Sequence, residues 1–163
     1  MPPQNNRVHR VYIDTSVANV YLFGRDVEVE RYSPTEHLFR LLDSRIVDGV
    51  ISLYTIQEIY SYCQDNFPVD ALRDVTRLAI IKILKIDLEI APMLTRFEGL
   101  IHQRKYQMTD SSDVPHAIIA FLRNCDAIIT YDSHFDEIKG VITIMTPEEF
   151  LRRYNFNNIT NYQ

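Results

Sequence analysis

Apolar residues in this chain fall into two kinds of run, short unbroken blocks and longer stretches spaced by three and four, and the two kinds alternate. The blocks read as strands buried on both faces, the spaced stretches as helices with one buried stripe. Residues 8–13 predict a first strand and 15–23 a helix ended by Gly24, followed by a polar, charge-rich link over 25–32. Ser33-Pro34-Thr35-Glu36 combines a capping residue, a proline at the first helical position and an acid, which predicts the start of a second helix. Leu38, Leu41, Leu42, Arg45 and Ile46 supply its buried face, and Asp48-Gly49 its stop.

Residues 50–53 are short enough for a second strand, and Thr55-Ile56-Gln57-Glu58 opens a helix that turns Ile59, Tyr62 and Cys63 inward. Pro68 begins a further helix through 78, and the alternation at the end of 80–86 predicts a third strand. Asp87 then starts a longer helix with Ile90, Leu94, Phe97 and Ile101 on one face, its first turn delayed or bent by Pro92. After a polar link over 104–110, Asp113 caps a helix to 124 that packs through Ala117, Ile118, Ala120 and Phe121. Residues 127–131 form a fourth strand ending on Asp132, and 141–145 a fifth. Thr146-Pro147-Glu148-Glu149 caps a closing helix, and the Asn-rich 155–163 reads as a frayed tail. Within that tail, Asn158-Ile159-Thr160 is a glycosylation triplet that matters only in a secreted chain.

Strands separated by helices predict an α/β fold, a parallel sheet of five strands covered on both faces. Right-handed crossovers put the carboxyl ends of all strands on one side. A length of 163 residues with 46% apolar content fits a single domain, 1–163, around one core. The first ten residues lack a signal-like apolar run, and no stretch approaches the roughly 18–20 apolar residues of a membrane span, so a cytoplasmic protein is expected. Cys63 and Cys125 lack the CxxC spacing of a zinc or redox site and read as buried, reduced thiols. A net charge of −5 does not suggest nucleic-acid binding through a general positive field. A nucleic-acid partner would need local basic patches or a bridging cation.

Four acids share the carboxyl edge of the expected sheet. Asp14 follows strand one, Glu58 lies in the first turn after strand two, Asp113 opens the helix leading to strand four, and Asp132 follows strand four. Each has an ordinary explanation: Asp14 and Asp113 as helix caps, Glu58 as the partner of Thr55 in a capping box, Asp132-Ser133 as a turn. Together they carry a cost, since two carboxylates near 5 Å repel by roughly 3 kcal/mol at an effective dielectric of about 20. Protons or a divalent cation must offset it, and an oxygen-only set favours Mg²⁺ or Mn²⁺ over zinc.

Tyr12-Ile13-Asp14-Thr15-Ser16, Thr55-Ile56-Gln57-Glu58-Ile59 and Asp113-Val114-Pro115-His116-Ala117 carry, in this order and spacing, a resemblance to the PIN-domain family. Ile129-Thr130-Tyr131-Asp132-Ser133-His134-Phe135, Gly140 and Thr146-Pro147-Glu148-Glu149-Phe150-Leu151 extend it over almost the whole chain. Within the family the chain is similar to the small VapC-type ribonucleases, the toxins of type II toxin-antitoxin pairs. The resemblance implies a three-layer α/β/α sandwich with strand order 3-2-1-4-5 and a metal-dependent endoribonuclease. It makes Asp14, Glu58, Asp113 and Asp132 the catalytic and metal-binding set, with Ser16 and Thr130 as bracing hydroxyls. His134 stands where many relatives carry another acid, and is read as an auxiliary group. Mg²⁺ or Mn²⁺ as cofactor, RNA as substrate, a small antitoxin as partner and a homodimer follow from the same likeness.

On this reading Asp14, Asp113 and Asp132 bind one or two ions, and Glu58 orients or deprotonates the attacking water, which leaves 5′-phosphate and 3′-hydroxyl ends. Arg25, Arg31, Arg104-Lys105 and Arg152-Arg153 are candidate phosphate contacts or solvated surface. His116 is read as a bonded or packed residue of a first helical turn, and Tyr12, Tyr21, Tyr54 and Tyr131 as packing or base-stacking groups. Three alternatives remain at this stage: a non-catalytic PIN-like scaffold, an RNA-processing nuclease outside any toxin pair, and a phosphatase or receiver domain. A haloacid-dehalogenase phosphatase needs a second acid where this chain has Ser16.

Overall fold

The computed structural model describes residues 9–156. Its frame is five parallel strands, β1 (His9–Ile13), β2 (Val47–Ser52), β3 (Leu88–Ala91), β4 (Ala127–Ile129) and β5 (Thr143–Met145), ordered β3-β2-β1-β4-β5. Among the described residues, six α-helices lie between the strands, α1 (Thr15–Phe23), α2 (Val29–Asp43), α3 (Leu53–Asn66), α4 (Val69–Leu84), α5 (Arg96–His102) and α6 (Val114–Leu122), and α7 (Pro147–Arg153) follows β5. A 3₁₀ turn spans Ser133–Ile138. No helix among the described residues is long and apolar enough to cross a membrane.

Alternation along the strands divides the core in two. Val11, Ile13, Ile51 and Ile129 face α1, α2, α3, α4 and α7, where Val17, Leu38, Ile59, Ile83 and Phe150 meet them. Tyr12, Val50 and Ile128 face the other way, onto Ile118 and Ile119 of α6 and Phe135 of the 3₁₀ turn. This is the three-layer sandwich with strand order 3-2-1-4-5 that the resemblance implied. From β1 the chain builds outward to β3 on one side and then, through β4, to β5 on the other. The order therefore reverses between β1 and β4, the crevice where open α/β sheets collect ligands.

Several boundaries differ from the sequence reading. Residues 80–86 belong largely to α4, whose Leu72, Val75, Ala79 and Ile83 follow a helical spacing onto the core. The third strand comes later, at Leu88–Ala91, where a helix was expected; that helix, α5, begins only after Pro92, at Arg96. An apolar run without punctuation does not distinguish strand from helix, and here three-and-four packing decided it. The link over 25–32 is partly helical, because α2 starts at Val29 and carries Pro34 inside its second turn. The tail expected at 155–163, with its triplet, lies outside the described residues from 157 onward. Cys63 is buried; Cys125 is partly buried, its thiol pushed up to about 12 by burial.

Gly49 does not stop a helix. It pairs with Val11 and Leu88 inside the sheet, and a β-carbon there would lie 2.4 Å from Leu88 Cδ2 and 2.6 Å from Leu42 Cδ2. Its bare backbone lets leucines from α2 and β3 close over β2. Gly49→Val is expected to cost about 2 kcal/mol through overpacking, read as a lower midpoint in urea unfolding.

Candidate functional site

The register of β1 and β4 builds the floor of the site. Ile13 pairs with Ile129, so the next residues, Asp14 and Thr130, leave the sheet side by side. The backbone N–H of Asp14 donates to Ile129 O at 3.0 Å. One oxygen of Asp14, Oδ2, accepts from Ser16 Oγ at 2.5 Å, from Ser16 N at 3.1 Å and from Thr130 Oγ1 at 2.8 Å. Ser16 Oγ also accepts from Tyr131 N at 3.0 Å, and Thr130 Oγ1 from Asp132 N at 2.9 Å. Two hydroxyls thus tie the buried Asp14 to the segment that carries Asp132. Asp14 is an N-cap as well, for α1, but capping occupies only Oδ2.

Glu58 sits in the second turn of α3, one turn later than expected, and takes no part in capping. The capping box of α3 is Ser52 with Thr55. Glu58 Oε2 accepts from the hydroxyl of Thr15, and Oε1 lies 3.0 Å from Nε2 of His116. His116 is fully buried, and its Nδ1 meets the hydroxyl of Tyr12 at 2.7 Å, which itself donates to Ser52 Oγ at 2.7 Å. Burial pushes the Glu58 carboxyl up, but the bond and charge of His116 and the Thr15 hydroxyl outweigh it and hold the group below its ordinary range. Burial likewise lowers His116, and the bond and charge of Glu58, with Asp14 and Asp113, lift it above its usual value. With Tyr12 donating to Ser52, both imidazole nitrogens of a protonated His116 find acceptors.

Asp113 precedes α6 yet makes no side-chain cap bond. It exposes 8% of its surface, and its Oδ2 is buried with no hydrogen-bond partner. Burial, then the charges of Asp132, Asp14 and Asp110, push its carboxyl up to about 7. Asp132 accepts from His134 N at 2.9 Å, the turn that its sequence allowed, and its Oδ1 lies 3.2 Å from His134 Nδ1. That nitrogen is 3.6 Å from the unpartnered Asp113 oxygen.

Asp14, Asp113 and Asp132 therefore share one corner electrostatically, while Glu58 is drawn into the Thr15–His116–Tyr12 network. Among the described residues, the ligand-type side chains that converge most closely are Asp110, Asp113 and His134, with one atom from each within 4.8 Å of the others. Asp14, Glu58 and Asp132 stand outside that group. Asp110 escaped the sequence reading because it closed a polar link; its spacing of three from Asp113 was the available signal. Among the candidate phosphate contacts, Arg31 stands over the Tyr131 ring at 4.7 Å, beside the edge, and also bonds Glu28.

The chain belongs to the PIN-domain family, whose model matches residues 10–134. Solved structures that share the fold include two from toxin-antitoxin systems. VapBC2 from Rickettsia felis, bound to a DNA fragment from its promoter, aligns at TM-score 0.58 and 14% identity over 84% of this chain and 98% of that one. VapC20 from Mycobacterium tuberculosis, a toxin that cleaves the sarcin-ricin loop, aligns at TM-score 0.55 and 11% identity over 78% of this chain and 93% of that one. A comparison with curated proteins gave no match.

Proposed function

We propose that this protein is a divalent-cation-dependent endoribonuclease and the toxin of a type II toxin-antitoxin pair. Support comes from its family, from the VapC toxins that share its fold, and above all from one oxygen. Asp113 Oδ2 is buried, has no donor, and feels three other carboxylates. A cation is the species that such an oxygen lacks, and the donors around it are those that Mg²⁺ or Mn²⁺ accepts. Asp14, Asp113 and Asp132 would hold it, with Glu58 alongside. A bound divalent cation supplies hydroxide near neutral pH and screens charge on a phosphate.

The chain's own groups divide the remaining work. Ser16 and Thr130 occupy Oδ2 of Asp14 and fix the direction of Oδ1. Thr15 and His116 hold Glu58 as a carboxylate, whose lowered affinity for protons suits it to orient water and not to accept a proton from it. Asp113 keeps its proton up to about pH 7 when no cation is present. Cation binding must displace that proton, so affinity rises as pH rises and levels off above 7. Mn²⁺ is expected to bind about tenfold more tightly at pH 8 than at pH 6, measured by calorimetry. The partners on this reading are RNA, a small antitoxin covering the acidic edge and a second copy of the chain, with the cytoplasm as the compartment and the whole chain as one domain.

The test is end-labelled RNA incubated with the protein in EDTA, then with Mn²⁺ or Mg²⁺ restored. Cleavage with 5′-phosphate ends that depends on the cation and disappears in Asp14→Asn supports the assignment. A 2′,3′-cyclic phosphate refutes hydrolysis by water, and binding without cleavage selects the scaffold.

A further inference from the structure

Asp110, Asp113 and His134 occupy the corner of the acidic edge formed by the approach to α6 and the turn after β4. Asp110 is fixed there by its own turn, since its Oδ1 accepts from Ser112 N at 2.9 Å and from Ser112 Oγ at 2.7 Å. Its other oxygen takes no part in that turn. Asp113, more than nine-tenths buried, brings an oxygen with no donor, which is costly to hold unless a positive species meets it. His134 is half exposed, and its Nδ1 points between Asp113 and Asp132. At 3.6 Å it does not hydrogen-bond the Asp113 oxygen.

We infer that Asp110, Asp113 and His134 form a mixed oxygen–nitrogen cation site that selects a first-row transition dication, with Mn²⁺ as the representative, over Mg²⁺. The inference rests on the cation-dependent reading above and names the ion class that the four acids alone leave open. Carboxylates serve Mg²⁺ and Mn²⁺ alike. An imidazole nitrogen does not: Mg²⁺ holds to water and oxygen ligands, whereas transition dications accept nitrogen readily. Nδ1 supplies the lone pair when the ring proton sits on Nε2, and the exposed ring can present that proton to water. Its competitor is a protonated His134 bridging Asp113 and Asp132 as an ion pair, and the test separates the two.

The full-length protein is stripped of metal, loaded with Mn²⁺ at pH 8 and examined by pulsed electron paramagnetic resonance for nitrogen bound directly to the ion. A directly coupled ¹⁴N is expected, and is lost in His134→Ala. His134→Asp gives an all-oxygen set, and the excess of Mg²⁺ that displaces half of the Mn²⁺ should fall about tenfold. Asp110→Asn should weaken Mn²⁺ binding by about tenfold. No coupled nitrogen in the natural protein, a coupling that survives His134→Ala, or an unchanged preference in His134→Asp overturns the inference. RNA does not enter these measurements, so failure to find cleavage leaves them intact. Cleavage in Mg²⁺ with no coupled nitrogen would reject the nitrogen site and leave the nuclease standing.

Discussion

At pH 8 without divalent cations, Asp113→Asn should be more stable than the natural protein by about 1–2 kcal/mol, and with cation it should cleave RNA about 10²–10³-fold more slowly. Burial, then Asp132, Asp14 and Asp110, raises the Asp113 carboxyl from 3.8 in the unfolded chain to about 7 in the fold. The folded protein thus binds this proton more tightly. Its contribution is complete below pH 3.8 and is lost as pH rises through 7. At pH 8 the natural protein bears the cost of a charge among like charges, and the neutral amide does not. Water at the open edge screens those charges, which keeps the gain well under the unscreened limit. Urea unfolding at pH 5 and pH 8 checks the sign: the advantage of Asn should shrink at pH 5. A site that is strained when empty and relieved when loaded trades stability for function.

The largest loss of stability is expected from His116→Ala, about 2–3 kcal/mol. His116 is the only described partner that joins Tyr12 in the core to Glu58 at the edge, through bonds of 2.7 and 3.0 Å. Removing it leaves the Tyr12 hydroxyl short of one neighbour and Glu58 as a half-buried anion without its cation. The pH dependence is bounded by both groups. Glu58 is lowered from 4.5, so its share is present above pH 4.5 and fades as pH falls through the folded value. His116 is raised from 6.5, so its share is complete below pH 6.5 and fades as pH climbs through the folded value. The cost of His116→Ala should therefore be greatest between pH 4.5 and 6.5 and smaller at pH 8.5. A cost independent of pH would mean that the imidazole is held neutral and acts through its hydrogen bonds and packing, not through charge.

Much of the frame was legible because strands buried on both faces leave unbroken apolar blocks, as in Val11-Tyr12-Ile13 and Ala127-Ile128-Ile129. Once those two strands are paired, Asp14, Ser16, Thr130 and Asp132 fall together by register. The third strand was hidden because Ile80, Ile81 and Ile83 form an apolar run that suits either structure, whereas Leu88–Ala91 is four residues with an acid among them. Gly49 misled because a glycine after an acid usually marks a stop, and only the two leucines that close over it explain it. At the site, residue type announced the acids but not their state. That Oδ2 of Asp113 is left without a donor, that Glu58 is tied to a buried histidine, and that Asp110 with His134 joins the edge all depend on side-chain directions that spacing does not encode.

Cation binding can be followed without any nucleic acid, so thermal unfolding against Mn²⁺ concentration at pH 8 is the most direct measurement. The natural protein should melt at steadily higher temperature as Mn²⁺ increases, and Asp113→Asn should show almost no shift. An unmoved melting temperature in the natural protein, or an equal rise in both, would contradict a cation held at this edge.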